Sequence, residues 1–153
     1  MPDDPTITRD HFLLQESLAL VAPVADELIA SFYDRLFTAR PELRPMFAPD
    51  LTPQRERLLT AVIALVTQFD RPEQLQPVLA AMGRAHVRYG VRLDHYAAVG
   101  SALLATLAEY AGPAWNPAYA AAWERLYTYA AGTMMAAACL VSTTSGNGLR
   151  HAA

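Results

Sequence analysis

The sequence predicts an all-α protein, on the strength of three observations. Apolar residues recur at intervals of three and four along nearly every segment, which is the period of an amphipathic helix. No run shows the strict alternation of apolar and polar residues that is typical of a half-buried strand. At 153 residues, with no repeat, low-complexity linker or change of composition, the chain has the length of one domain.

Start signals place the helices along the chain. Thr8, with Asp10 two residues later, is predicted to begin the first helix, because threonine caps helices and acidic residues favour the first turn. Thr52 followed by Pro53 offers a cap with proline at the first helical position. The predicted helices cover residues 8–21, 23–38, 41–46, 52–69, 74–89, 92–111 and 117–142.

Stop signals divide the second half of the chain. Gly90 lies where a helix usually ends, and Asp94 and its neighbours are expected to begin the next one. The Ala-Gly-Pro segment 111–113 and the pair Asn116–Pro117 predict a further break. We therefore expect one domain over residues 1–142, followed by a flexible C-terminal tail over 143–153.

Composition limits the classes of function. The chain is 53% hydrophobic and 18% charged with a net charge of -3, and its basic residues are scattered, so neither nucleic acid nor an anionic membrane is an expected partner. The acidic, proline-containing N-terminus differs from a signal peptide, and the apolar stretch 130–141 is too short to cross a bilayer. A cytoplasmic location is expected. The single cysteine, Cys139, excludes an internal disulfide and is interpreted as a small buried apolar residue.

His86 is the first candidate for a functional side chain. It shares a helical stripe with Val78, Leu79 and Met82, so its imidazole is expected to lie among apolar side chains. A single imidazole facing an apolar cavity suits an axial ligand of haem iron. A core histidine that is hydrogen-bonded to a backbone carbonyl fits the same spacing. Residue type and spacing alone leave both interpretations open.

Two polar residues on apolar helical faces are further candidates. Gln54 begins the stripe that continues through Leu58, and Tyr33 shares a face with Ile29 and Phe37. Either side chain is suited to donate a hydrogen bond to a ligand. Gln54 fits equally well as a solvated residue at the rim, and Tyr33 as a core residue whose hydroxyl is satisfied locally.

In combination, the motifs identify a resemblance that covers roughly residues 6 to 142. The sequence contains, in order, FYxxLF, a proline-to-phenylalanine turn, HxxxGV, HYxxVG and AWxxxY. This combination resembles the globins and, within them, the bacterial single-domain group that is similar to the haem domain of flavohaemoglobins. The resemblance implies a globin fold of six to seven helices and haem b as the cofactor. The motifs begin at Phe32, Pro41, His86, His95 and Ala122, respectively.

The resemblance also implies roles for individual residues. His86 matches the proximal ligand of the haem iron, and Phe47 matches a phenylalanine that packs on the haem face. Tyr33, Gln54 and Leu58 match the residues on the distal side, where a gas ligand binds. The other residues expected near the haem are Met82, Val91 and Tyr96, while Pro41 matches the proline that turns the chain between the second and third helices.

Some polar residues keep two interpretations. Arg84 is a candidate for an ion pair with a haem propionate and fits equally well as a solvated arginine. His95 is either a second propionate contact or a solvated or capping residue. Charged residues at positions 55–57 are expected on the solvated side of their helix, and Trp123 and Tyr127 are expected in the core.

The implied function is reversible binding of O₂, together with NO and CO. Bound O₂ carries partial negative charge, so donors such as Tyr33 and Gln54 should slow its release, each contributing about 1.5–3 kcal/mol. The alternative is a nitric oxide dioxygenase that works with a separate reductase, because no Gly-rich nucleotide fingerprint occurs in the chain. A sensor would act only through a partner protein. A monomer or weak homodimer is expected.

One departure from the family pattern concerns the proximal side. The resemblance implies a glutamate that hydrogen-bonds the proximal histidine, but the corresponding position falls at about Ala138, in a stretch without carboxylates. A carboxylate partner makes an imidazole more electron-donating and favours O–O cleavage. The absence of this carboxylate favours retention of bound O₂ over cleavage of its O–O bond.

Overall fold

The computed structural model describes residues 4–151, with side chains over residues 4–140. Within that range the secondary structure is entirely helical, which confirms the predicted class. Three short 3₁₀ segments, Ala22–Val24, Pro41–Met46 and Gly112–Ala114, connect the longer helices. The α-helices are α1 (Pro5–Val21), α2 (Ala25–Ala39), α3 (Thr52–Thr67), α4 (Pro72–Arg88), α5 (Leu93–Ala111) and α6 (Pro117–His151).

The start of α1 differs from the prediction. The helix begins three residues before Thr8, because Pro5 occupies the first helical position and the Asp4 carboxylate accepts a hydrogen bond from the Thr6 backbone N–H at 2.8 Å. Asp10 serves a different purpose. It is 2% exposed and accepts two hydrogen bonds from Arg125 on α6, at 2.5 and 2.7 Å.

The predicted breaks in the second half are confirmed. Gly90 and Gly112 have φ values of 82° and 61°, which side chains with a Cβ adopt only with strain, and they follow α4 and α5. The Asn116 side chain accepts from the Tyr119 N–H at 2.9 Å and caps α6. Local chemistry is therefore sufficient to end these helices.

The predicted end of the last helix is wrong. α6 continues to His151 instead of stopping near residue 142. The prediction relied on glycines at positions 146 and 148, but a glycine inside an established helix costs only about 1 kcal/mol. The division into a domain and a flexible tail stays a prediction.

The apolar core consists of two clusters. The larger one joins α1, α2, α3, α5 and α6 around Phe32 and Trp123, and the indole N–H of Trp123 donates to Ser17 Oγ at 2.8 Å. The smaller one joins α4, α5 and α6 around Leu79 and Tyr96. Among the described residues, only Leu65 and Tyr127 pack against both clusters.

Two glycines allow the helices around the smaller cluster to approach closely. A Cβ at Gly83 would lie 2.3 Å from the Met134 carbonyl oxygen, so α4 meets the backbone of α6 directly. A Cβ at Gly100 would lie 2.5 Å from the Tyr127 ring, whose hydroxyl donates to the Tyr96 carbonyl oxygen. These contacts fix α4 and α5 against α6.

Within the described residues, we find no helix with the length and apolar character needed to cross a membrane.

Candidate functional site

Tyr33 lies at the centre of an aromatic group on α2. Its side chain is 2% exposed, and its ring packs edge-on against Phe32 and Phe47 with centroids 4.9 and 5.7 Å apart. Phe37 lies one turn along α2, with its centroid 5.8 Å from that of Tyr33. Three aromatic neighbours leave the phenol few alternative rotamers, so the position of its hydroxyl is well defined.

The Tyr33 hydroxyl receives a hydrogen bond from α3. Gln54 Nε2 donates to it at 3.1 Å, although the two residues are 21 positions apart in the sequence. On its other side, Gln54 Oε1 accepts from an Arg57 guanidinium N–H at 3.1 Å. The sequence predicts Arg57 on the solvated side of α3, and its side chain is exposed. Its spacing of three from Gln54 on one helix was the signal that could have predicted the contact.

The three residues form a chain with one direction. A guanidinium only donates, so Gln54 must turn its oxygen to Arg57 and its NH₂ group to Tyr33. The phenol oxygen is therefore an acceptor in this bond. The Tyr33 hydrogen has no acceptor among the residues that the structure describes, which leaves a buried O–H donor available.

Burial dominates the ionisation of Tyr33. Desolvation raises the pKa of its phenol above the usual 10.0, while the Gln54 hydrogen bond and the positive charges of Arg57 and Arg55 oppose that rise. The hydroxyl thus keeps its proton at neutral pH, and the nearby cations polarise it. A neutral, polarised phenol is a good hydrogen-bond donor.

His86 lies near the end of α4 and is half-buried. Its Nδ1 is 2.7 Å from the Met82 carbonyl oxygen, one turn earlier, and a carbonyl can only accept. Nδ1 therefore carries the hydrogen, and in the neutral ring the lone pair lies on Nε2. That lone pair has no hydrogen-bond partner among the described residues. The Tyr96 ring lies nearly parallel to the imidazole, with centroids 6.4 Å apart.

The predicted stripe on α4 is only partly correct. Leu79 is fully buried, and Met82 and His86 are half-buried, but Val78 is 51% exposed. Val78 precedes Leu79 by one residue, and the 100° rotation between them turns its side chain to solvent. The imidazole therefore borders the smaller cluster at its edge.

Several apolar residues predicted at the site are half-buried in this structure. Phe47 and Leu58 pack against the larger cluster, which also contains Tyr33, whereas Met82 and Val91 pack against the smaller one. The predicted distal and proximal residues thus belong to different clusters. Their half-exposed faces are apolar surface that a flat apolar group could cover.

Arg44 holds the segment that carries Phe47. Its guanidinium donates to the carbonyl oxygens of Phe47, Ala48 and Pro49 at 3.4, 3.0 and 2.8 Å, and it lies 5.4 Å from the Phe37 ring centroid. This role of Arg44 could not be predicted from the sequence, because no local pattern indicates that an arginine will bond to carbonyls three to five residues later. The fold gives it that position.

His95 and Arg84 differ in how far the structure defines them. His95 is 9% exposed, and its Nδ1 accepts from the Arg92 backbone N–H at 3.0 Å, which satisfies a free donor at the start of α5. This favours the capping interpretation. Arg84 is exposed and forms no ion pair within the described residues, so its guanidinium has all its donors available.

The interpretation of Cys139 as buried is wrong, because its side chain is exposed. Position 139 lies two residues beyond the buried Ala137, and the rotation of about 200° between them places its side chain on the outer face of α6. Ala138, at the position where the resemblance implies a glutamate, has no carboxylate to offer His86.

Two surface depressions lie outside this site. One, of about 430 Å³, lies between α2 and α5 beside the ion pair of Arg40 and Asp94. The other, of about 390 Å³, lies on α6 beside Glu124 and Arg125. Neither is lined by Tyr33 or His86.

Comparison with known proteins identifies the family. The sequence profile of the globin family matches residues 30–134. A globin-like protein of Aquifex aeolicus is 30% identical over 80% of this chain and 87% of its own length. A flavohaemoprotein of Rhodopirellula baltica is 32% identical over 78% of this chain, but the match spans only 30% of that longer protein.

A solved structure agrees with these relatives. An engineered carbene transferase, from a Rhodothermus marinus protein assigned as a nitric oxide dioxygenase, is 25% identical, with a TM-score of 0.80. The superposition covers 90% of this chain and 96% of that one. Profile, sequence and structure agree, and the chain belongs to the globin family.

Proposed function

We propose that this protein binds haem b through His86 and holds a diatomic gas, foremost O₂, beside Tyr33. The observation that carries the proposal is the buried Tyr33 hydroxyl. It accepts from Gln54, and its own hydrogen has no acceptor among the described residues. A buried donor without an acceptor is costly unless a ligand uses it.

The residues present fit a haem group. Globins bind haem, and His86 offers an unpartnered Nε2 lone pair at the edge of the smaller cluster. The Met82 carbonyl fixes the tautomer, as the second partner of a metal-binding histidine usually does. Half-exposed apolar side chains from both clusters offer surface for the macrocycle, and Arg84 offers a free cation for a propionate.

Haem would supply an iron with one coordination position open to O₂, NO or CO. The protein's own contribution is on the distal side. Tyr33 donates its O–H to the gas, Gln54 holds the phenol in place, and Leu58 limits the space beside them. Each charge-assisted hydrogen bond contributes about 1.5–3 kcal/mol, so bound O₂, which carries partial negative charge, should be stabilised by this donor more than CO is.

Replacement of the proposed ligand tests the haem assignment. We expect His86→Gly to lose the Soret absorption of the reconstituted protein and to regain it when free imidazole is added, because the glycine leaves room for the missing ring. His11→Gly is the matched control, since His11 bonds the Thr67 carbonyl far from the site. An unchanged spectrum for His86→Gly would exclude His86 as the ligand.

A second candidate is a nitric oxide dioxygenase. It is favoured by the Rhodothermus marinus structure, whose parent protein is assigned that activity, and by the flavohaemoprotein relatives, of which this chain matches about three tenths. A separate reductase would then supply electrons. Mixing the oxygenated protein with excess NO, with and without a reductase and its electron donor, distinguishes the two functions. Nitrate formed over many turnovers in the presence of the reductase supports the enzyme, whereas at most one nitrate per protein molecule leaves the gas-binding protein. The cytoplasmic location and the monomeric or weakly dimeric state stay predictions.

A further inference from the structure

We propose that Arg57 is a positioning residue of the distal site, which fixes the Gln54 amide so that Tyr33 donates to the gas. This proposal rests on the function proposed above. Arg57 itself is exposed and does not contact Tyr33. It acts through Gln54, whose Oε1 it engages at 3.1 Å.

The amide of Gln54 has two orientations with opposite consequences. With Nε2 towards Tyr33, the phenol oxygen accepts and its hydrogen is free for the gas. With Oε1 towards Tyr33, the phenol would donate to Gln54, and the gas would lose its O–H donor. The two orientations occupy the same volume, so packing alone does not choose between them.

Arg57 selects one orientation of the amide because its guanidinium can only donate hydrogen bonds. A guanidinium has five N–H donors and no acceptor, so an amide turned the other way would place its NH₂ group against another donor. The spacing of three on α3 keeps the two side chains on one face of the helix. The bond joins the half-buried Gln54 amide to a guanidinium that is exposed to solvent.

The positive charges act in the same direction. The charges of Arg57 and Arg55 both stabilise negative charge on the phenol oxygen, which makes the O–H a stronger donor. Both therefore oppose the effect of burial on the pKa of Tyr33. Arg55 Nε is buried and has no hydrogen-bond partner among the described residues, and the guanidinium that bonds Gln54 Oε1 is that of Arg57. Arg57 is the cation that contacts Gln54.

Replacement of the donor at position 57 by an acceptor of opposite charge gives the sharpest test. In Arg57→Glu the carboxylate only accepts, so it should attract Gln54 Nε2 and turn Oε1 towards Tyr33. We expect about a tenfold faster dissociation of O₂, corresponding to the loss of one charge-assisted hydrogen bond, and a higher C–O stretching frequency in the CO complex. Arg57→Lys retains a donor and should stay close to the parent protein.

A double-mutant cycle separates orientation from direct charge. In a Gln54→Leu background there is no amide to orient, so Arg57→Glu should have little further effect on dissociation. Arg9→Glu, at an exposed position on α1, controls for the same change of net charge and should match the parent. A full Arg57→Glu effect in the Gln54→Leu background would overturn the proposal, as would no effect in the parent.

Nuclear magnetic resonance gives a readout that does not depend on gas binding. The side-chain ¹⁵N and ¹H resonances of Gln54 should shift in Arg57→Glu and stay in place in Arg57→Lys, with or without haem. Unchanged Gln54 resonances in Arg57→Glu would overturn the proposal. If Tyr33→Phe leaves O₂ dissociation unchanged while Arg57→Glu shifts these resonances, the proposed distal function fails but the amide orientation stands.

Discussion

Gly83 on α4 lies against the backbone of Met134 on α6, so closely that a Cβ would be 2.3 Å from the Met134 carbonyl oxygen. His86 follows Gly83 by three residues on the same helix. The depth of α4 against α6 therefore determines where the imidazole lies. A glycine one turn before the proposed ligand thus supports the site through the close approach of two helix backbones.

We expect Gly83→Ala to destabilise the fold by about 1–3 kcal/mol, because the added methyl group must push two helix backbones apart. Thermal or urea unfolding measures the change. Gly132→Ala is the matched control: Gly132 lies within α6 with nothing near its Cβ position, and alanine there should stabilise the helix by up to about 1 kcal/mol. Equal effects at the two positions would contradict the close-approach argument.

Removal of the phenol hydroxyl tests the distal donor. We expect Tyr33→Phe to speed O₂ dissociation by about ten- to a hundredfold, because a charge-assisted hydrogen bond of about 1.5–3 kcal/mol is lost. CO dissociation should change less. Tyr110→Phe, whose hydroxyl bonds the Glu27 carbonyl on the surface, is the control. Unchanged O₂ dissociation in Tyr33→Phe would remove the donor role.

Loss of the Arg44 side chain should loosen the segment that carries Phe47. We expect Arg44→Gln to lower the free energy of unfolding by about 1–2 kcal/mol, since three carbonyl oxygens lose a charged donor. Hydrogen exchange should speed up locally over residues 47–51. Faster exchange spread evenly over the protein would indicate general destabilisation instead.

Alkaline pH should destabilise the protein through its buried tyrosines. Burial raises the pKa values of Tyr127, Tyr96 and Tyr33 above 10.0, so the unfolded chain loses these protons at a lower pH than the folded one does. The stability that depends on these tyrosines being protonated is present below pH 10 and is lost as the pH rises above 10. The free energy of unfolding should fall by up to about 1.4 kcal/mol per pH unit for each tyrosine.

Tyr127→Phe isolates one of these contributions. Tyr127 has the largest shift, caused first by burial and then by repulsion from Tyr96. Its replacement should make the decline above pH 10 shallower, as measured by urea unfolding at several pH values between 9 and 12. The parent protein and the variant are compared by slope, because the lost hydrogen bond to the Tyr96 carbonyl lowers stability at every pH. Identical slopes would contradict the assignment.

The sequence alone determined most of the secondary structure and the types of side chain in the candidate site, namely an imidazole, a phenol and an amide. Helical periodicity needs only local spacing, and the breaks at Gly90, Gly112 and Pro117 follow from local backbone chemistry. The order of the motifs carried the resemblance to globins. Local signals failed at the helix ends. Asp4 and not Thr8 caps α1, and α6 continues past its glycines. In each case the competing end points of the helix differ in free energy by only about 1 kcal/mol, so local sequence does not choose between them.

Only the tertiary structure decided which side chains meet. The hydrogen bond from Gln54 to Tyr33 spans 21 residues, and the pair of Arg125 and Asp10 spans 115. Such contacts depend on how α2, α3 and the other helices cross, which is set by close packing over the whole core and not by any local pattern.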